Sequence, residues 1–123
     1  MRLAELVLVG VGGAFGSIAR YLIALALGAL PGFPFGTLAV NLTGSFVAGV
    51  LVGIGDARGL ANPARLLLVT GFLGGYTTFS AFGVETIRLA ETHGALIAGV
   101  NVLASVGVGL AVAAAGLVVG RGL

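Results

Sequence analysis

The stretch of sequence that decides the fold is GFLGGYTTFSAF, residues 71–82. It lies inside a long apolar segment, yet it places the adjacent glycines Gly74 and Gly75 next to the adjacent hydroxyl residues Thr77 and Thr78. Glycine gives the backbone freedom to leave a helix, and threonine hydroxyls can satisfy the carbonyl groups that such a break releases. The stretch therefore predicts a membrane-spanning helix that is broken within the bilayer.

The composition of the whole chain is that of a membrane protein. Of its 123 residues, 59% are apolar and only 8% are charged, and the mean hydropathy is +1.20. A soluble domain of this size would need more polar surface, so lipid must cover most of the chain. The net charge of only +2 argues against nucleic acid as a partner. The absence of Cys and the presence of a single His, His93, exclude thiolate chemistry and a histidine metal site.

Charges and prolines divide the chain into four apolar segments, each long enough to cross a hydrocarbon core of about 30 Å as a helix. The segments are approximately residues 3–30, 36–54, 66–87 and 95–119. The connections between them are too short for a soluble domain. We therefore predict an all-α membrane protein of four transmembrane helices, with one domain over residues 1–123. We interpret the first segment as a span and not as a signal peptide, because no convincing cleavage site ends it.

The arginines give only a weak indication of orientation. One side of the membrane would carry Arg2, Arg58, Arg65 and Arg121, and the other Arg88 and Arg20. So small a difference is compatible with insertion in both orientations and also with a single orientation that keeps the N-terminus inside.

Glycines recur four residues apart in all four segments. The pairs are Gly12 and Gly16, Gly49 and Gly53, Gly71 and Gly75, and Gly116 and Gly120. Such spacing predicts helices that approach closely. The run GVGGAFG, residues 10–16, follows a stretch that could pass for a strand and has a superficial likeness to a dinucleotide-binding loop. Such a loop requires a βαβ unit and a later acidic residue, whereas here four hydrophobic spans surround the run, so packing glycines are the favoured interpretation.

Polar side chains form one stripe on each of two predicted helices. The stripes are Thr37, Asn41 and Ser45 on the second span, and Asn101, Ser105 and Gly109 on the fourth. Polar groups in hydrocarbon must pair with one another or line a wet path, so both stripes should face protein or water. Each stripe alone is compatible with hydrogen bonding between helices, whereas two stripes in one small protein favour a pathway.

Other residues of the third and first spans have two interpretations. Phe79 and Phe82 are three residues apart and either pack or present their electropositive ring edges to an anion; the neighbouring hydroxyls favour the second. Arg20 lies roughly 25 Å along the first span, at about 1.5 Å per residue, and either anchors at the far interface or attracts anions. Glu85 and Arg88 are expected to pair at the end of the third span.

Three motifs together resemble the CrcB (Fluc) family of fluoride channels. They are GGAFGSIARY at residues 12–21, GTLAVNLTGSF at 36–46 and GFLGGYTTFSAF at 71–82. The resemblance covers nearly the whole chain in length, span number and motif order, and only the fourth span matches loosely. It implies passive export of fluoride from the cytoplasm by an antiparallel, dual-topology homodimer in the inner (plasma) membrane of a prokaryote.

The resemblance also implies roles for particular residues. Asn41 would offer its amide to fluoride, and Phe79 and Phe82 would present ring edges. A polar track would continue through Thr37, Ser80 and Ser105, and the backbone carbonyls of Gly74 and Thr77 would hold a structural sodium ion at the dimer centre. Arg20 would have a vestibule or stabilising role. Ala81 departs from the family, which usually has Thr or Ser at this position.

Other classes of function fit the sequence less well. A dual-topology, proton-coupled multidrug exporter also has four spans in a chain of this length, but it needs a carboxylate in the middle of the membrane. Glu5 lies near the start of the first span, and Glu85 and Glu91 near the end of the third. A purely structural subunit would have no need of the polar stripes. An enzyme is not expected, since the chain has no combination of nucleophile, base and orienting group.

Overall fold

The computed structural model describes residues 2–27 and 32–123 and contains four helical stretches that are long and apolar enough to cross a membrane. Within these residues there is no β-strand, so the all-α prediction is confirmed. The predicted end of the first span, residues 28–30, and Pro31 of the first connection lie outside the described residues.

The four helical stretches that the structure describes consist of five helices. Helix α1 is Leu3–Leu27 and helix α2 is Phe35–Arg58. The third stretch, Asn62–His93, consists of α3, residues 62–76, and α4, Phe79–His93. The fourth, Ala95–Gly122, is α5. The later three stretches continue past the predicted apolar segments, because polar end residues can remain helical where the hydrocarbon gives way to headgroups.

Glycine ends two of these helices. Gly59 follows α2 with φ of 78°, and Gly94 follows α4 with φ of 90°. Their backbone N–H groups donate to the carbonyls of Gly55 and Ala90, at 3.0 and 3.1 Å. Only glycine adopts this left-handed conformation without a steric cost, so each glycine closes its helix and allows the sharp reversal that follows.

Two segments are wound more widely than an α-helix. Residues Arg65–Leu73 of α3 and Leu103–Val108 of α5 are π-helical. The sequence pattern did not predict this winding. Such segments are rare and occur frequently at functional sites. Here one ends directly before Gly74, and the other contains Ser105.

The predicted glycine pairs form the two closest helix contacts of the bundle. Helix α1 packs in parallel against α3, where Gly12 meets Leu67 and Phe72 and where Gly71 meets Val9. Helix α2 packs in the same way against α5, since Gly49 and Gly53 of α2 meet the turns of α5 that contain Gly116 and Gly120. The prediction of close approach at these pairs is confirmed. A Cβ at any of them would collide with the backbone of the neighbouring helix.

The rest of the bundle is held by smaller contacts. Helix α4 folds back against the first turns of α5, and Arg121 forms an ion pair with Asp56, at 2.8 Å, that joins the ends of α5 and α2. Many large apolar side chains are exposed on the outside, from Leu3 on α1 to Leu110 on α5. These surfaces suit contact with lipid and identify the molecule as a multi-pass membrane protein.

Gly12 and Gly10 allow a matched test of the helix contact. We expect Gly12→Ala to lower the thermal stability of the purified protein in detergent by about 1–3 kcal/mol, because its Cβ would lie 2.9 Å from the Phe72 nitrogen and force α1 away from α3. Gly10→Ala should be neutral or stabilising by about 0.5–1 kcal/mol, since no atom lies within 4 Å of its Cβ position. Equal melting temperatures for the two variants would contradict the packing described here.

Candidate functional site

The backbone leaves the helical conformation between α3 and α4, at Thr77 and Thr78. Thr77 has φ −82° and ψ 156°, and Thr78 has φ −150° and ψ 119°. The adjacent glycines, where the sequence placed the backbone freedom, are themselves helical: Gly75 packs against Gly13 and Ser17 of α1. The extended residues therefore follow the glycines instead of coinciding with them.

The two threonine side chains satisfy the helix ends on either side. The Thr77 hydroxyl and backbone N–H both donate to the Leu73 carbonyl, at 2.9 and 3.0 Å, and so end α3. The Thr78 hydroxyl accepts from the backbone N–H of Ala81 at 3.2 Å and caps the start of α4. The expectation that hydroxyls satisfy carbonyl groups holds for Thr77, whereas the Thr78 hydroxyl satisfies an N–H group at the start of α4 instead.

Asn41 of α2 pairs with the extended backbone of Thr78. Its Nδ2 donates to the Thr78 carbonyl at 3.0 Å, and its Oδ1 accepts from the Thr78 N–H at 2.9 Å. One side chain therefore takes the place of both backbone partners that a helix would provide. An amide nitrogen carries two hydrogens, and the second has no protein acceptor among the described residues.

An open groove of about 470 Å³ lies against this pair. Of the predicted pore and cation residues, it brings together Asn41, Phe79, Phe82, Ser105, Gly74 and Thr77. Thr37, Ser80 and Arg20 are not among its lining residues. The lining contains no charged side chain, so the groove is polar only through amide, hydroxyl and backbone groups.

The two phenylalanine rings lie at the side of this groove that belongs to α4. Their centroids are 5.7 Å apart and their planes are inclined by 54°. Phe82 is half-buried, whereas Phe79 is 83% exposed. An aromatic ring carries an electropositive edge, so a groove that both rings and the Asn41 amide line offers a small anion ring edges as well as an N–H group.

The backbone carbonyls of Gly74 and Thr77 suit a hard monovalent cation. The Thr78 N–H donates to Asn41 and not to the Gly74 carbonyl, with which it would form a hydrogen bond in an α-helix. Thr77 is extended, which turns its carbonyl away from the helix direction. Unwound carbonyls of this kind coordinate sodium in other membrane proteins. Two carbonyls from one chain are too few to replace the water around a cation, so a cation bound here would need further oxygens from elsewhere.

The Thr37 hydroxyl lies outside the groove and donates to Oε1 of Glu85 at 3.0 Å. The second carboxylate oxygen, Oε2, is buried without a hydrogen-bond partner among the described residues. The expected ion pair between Glu85 and Arg88 is not formed. The ion pair found within the described ranges joins Arg121 and Asp56. Sequence reasoning placed Glu85 at a span end and so missed that its carboxyl group faces α2.

The polar stripe of the fourth span divides into two roles. Asn101 is 2% exposed and bonds between helices, because its Nδ2 donates to the Thr86 hydroxyl of α4 at 2.9 Å. Ser105 lines the groove and donates to Oδ1 of Asn101 at 3.4 Å. Hydrogen bonding between helices is therefore realised by Asn101, whereas Ser105 lines the groove and its place in a pathway stays a prediction.

Arg20 and Tyr76 join the helices next to the extended residues. The Arg20 Nε donates to the Gly75 carbonyl at 3.1 Å, so this side chain points into the bundle and ties α1 to α3. The hydroxyl of Tyr76 lies 2.9 Å from that of Thr43 on α2. Ser80 is exposed, with its hydroxyl 3.3 Å from that of Thr78.

Comparison with known proteins places the chain in a family. The family model described as "CrcB-like protein, Camphor Resistance (CrcB)" matches residues 7–117. A protein of Rhizobium etli named fluoride-specific ion channel FluC is 48% identical over 123 residues, which is 97% of this chain and 98% of the relative. A protein of the same name from Paracoccus denitrificans is 49% identical over 116 residues, with 94% and 93% covered. The family predicted from the motifs is confirmed, and this chain belongs to the CrcB-like proteins.

Proposed function

We propose that this chain is a fluoride-specific ion channel through which fluoride leaves the cytoplasm passively, in the inner membrane of a prokaryote. The observation that carries the proposal is the groove that the side chains of Asn41, Phe79, Phe82 and Ser105 line together without a charged residue. The names of relatives that are nearly half identical over almost the whole chain support it. As a channel, the protein performs no covalent chemistry.

The chemistry of fluoride favours such a groove. A small anion holds its water strongly and gives it up only where hydrogen-bond donors replace that water. The free N–H of Asn41 and the ring edges supply positive charge without a fixed cation. A fixed cation would bind the anion so tightly that it could not leave, whereas conduction needs binding that is favourable and still weak enough for release.

We propose further that two subunits assemble as an antiparallel dimer and that the extended residues Thr77 and Thr78 lie within the membrane. Two observations support a second copy. The groove is open on one side, and Phe79 of the proposed ion path is 83% exposed in the single subunit. An isologous dimer places the same surface on both subunits and would enclose two equivalent paths. The weak bias of the arginines is compatible with insertion in both orientations.

A sodium ion at the dimer centre would use the carbonyls of Gly74 and Thr77. A two-fold axis through the ion doubles the number of these oxygens and so supplies ligands that one chain lacks. When bound, the cation would neutralise carbonyl oxygens that the unwound backbone leaves without donors. The role of this chain's own residues is to hold those carbonyls in place, through the Thr77 bond to Leu73 and the Asn41 pair with Thr78.

The rival function, proton-coupled export of cationic compounds, has little support. Glu85 is the carboxylate that comes nearest to the requirement, since it is half-buried and one of its oxygens has no partner among the described residues. It lies outside the groove, however, and its other oxygen accepts from Thr37. The relatives carry the name of a channel and not of an exporter.

The proposed function can be tested with purified protein in liposomes loaded with potassium fluoride. Addition of a potassium ionophore should release fluoride, because the channel lets the anion follow the potassium ion, and a fluoride electrode would record it. Liposomes loaded with chloride provide the control for selectivity. Equal release of chloride, or no release of fluoride, would refute the proposal.

The role of the rings can be tested by Phe79→Ile and Phe82→Ile. Isoleucine preserves apolar bulk and removes the electropositive edge, so each variant should slow fluoride efflux by about tenfold or more, which corresponds to about 1.4 kcal/mol in the barrier. Phe15→Ile is the matched control, since Phe15 is also exposed, at 65%, and lies outside the groove. Undiminished efflux in both groove variants would reduce the ring pair to a packing contact.

The proposed assembly can be tested with Gly122→Cys, because the chain has no other cysteine. In an antiparallel dimer one C-terminus faces each side, so a reagent that cannot cross the membrane should label about half of the thiols before the vesicles are opened.

The proposed sodium site can be tested on the same dimer, because replacing sodium by N-methylglucamine should lower its melting temperature. Complete or absent labelling would contradict the antiparallel arrangement, and an unchanged melting temperature would contradict the sodium site.

A further inference from the structure

We propose that Asn101 is a positioning residue that sets the anion affinity of the groove by competing for the hydroxyl hydrogen of Ser105. The inference rests on the proposed fluoride function and extends it to a residue that does not line the groove. Among the residues that the structure describes, Asn101 is the polar residue that is fully buried, with only 2% of its surface exposed. A polar group buried this completely is costly unless all its bonds are used, so its hydrogen bonds define its role.

The directions of these hydrogen bonds are fixed by chemistry. The Asn101 nitrogen can only donate, so the Thr86 hydroxyl must accept from it at 2.9 Å. Thr86 then uses its own hydrogen on the Phe82 carbonyl, at 2.7 Å. The Asn101 oxygen can only accept, so the single hydrogen of the Ser105 hydroxyl points toward Asn101.

This direction matters for an anion in the groove. With its hydrogen directed at Asn101, Ser105 presents oxygen lone pairs to the groove, and lone pairs repel fluoride. Fluoride gains a donor from Ser105 only when the hydroxyl rotates and gives up its bond to Asn101. That bond is long for an O–H donor, at 3.4 Å, and therefore weak, so an anion can displace it. Asn101 thus lowers the affinity of the groove without blocking it, which suits rapid release.

The inference can be tested by a double-mutant cycle in the liposome assay. Asn101→Leu has nearly the shape of asparagine and removes the competing acceptor, so it should lower the half-saturating internal fluoride concentration for efflux by about two- to threefold, the effect of one hydrogen bond at the weak end of the usual range. In a Ser105→Ala background the same substitution should leave that concentration unchanged, because no hydroxyl remains to be released.

Thr86→Val provides the matched control. It removes the bond between Thr86 and Asn101 on the side of α4 and leaves the Ser105 bond in place. We expect no shift in the half-saturating concentration. If Thr86→Val reproduces the effect of Asn101→Leu, the effect passes through the Phe82 carbonyl, and the inference is wrong.

The remaining outcomes also decide between the possibilities. The role assigned to Asn101 would be overturned if Asn101→Leu shifted the half-saturating concentration equally in the Ser105 and the Ser105→Ala backgrounds, or shifted it in neither. Fluoride efflux by the wild-type protein would in that case leave the proposed function intact. Absence of fluoride efflux from the wild-type protein would overturn both. If Asn101→Leu does not yield a monodisperse protein, Asn101→Ala removes the same acceptor and cannot clash.

Discussion

The rest of the structure depends on the paired hydrogen bonds between Asn41 and the backbone of Thr78. Inside a bilayer no water is available to an unpaired N–H or C=O group, and each such group costs several kcal/mol, on the order of the free energy that stabilises a whole small domain. With Thr77 and Thr78 in the membrane, as proposed, the extended backbone between α3 and α4 depends on the side chain from α2 that replaces the missing helix partners of Thr78. The same amide lies at the wall of the groove, so the stability of the fold and the chemistry of the site share one residue.

Most donors of the proposed path are likewise engaged, and the second N–H of the Asn41 amide is the one without an acceptor among the described residues. One hydrogen of the Asn41 amide belongs to Thr78, the hydroxyl of Thr37 is bonded to Glu85, and that of Ser105 is bonded to Asn101. In a medium without water a free donor would be as costly as a free acceptor. An anion that enters must then exchange one bond for another, and the net gain at each step is small. Small steps in free energy are what a conducting path requires.

The sequence predicted most of the fold because two of its patterns have a single physical meaning in lipid. Apolar length fixed the four spans, and the glycines spaced four apart marked the helix contacts, including those of Gly12 with α3 and Gly49 with α5. The position of the extended residues was less predictable, since a glycine suits a close contact and a break equally well. At Gly75 the contact with α1 uses the glycine, and the extended conformation falls on Thr77 and Thr78, which carry the hydroxyls that cap both helix ends.

The partners of the polar side chains could not be read from spacing, because spacing gives the face of a helix and not its neighbour. Glu85 and Arg88 are three residues apart and were expected to pair, yet the carboxylate of Glu85 turns to Thr37, on a different helix. Asn101 and Ser105 share a face, but spacing could not show that the amide nitrogen of Asn101 meets Thr86 on α4 while its oxygen meets Ser105. The hydrogen of the Ser105 hydroxyl is therefore engaged by a residue that does not line the groove. A polar residue that never touches the groove can then tune it.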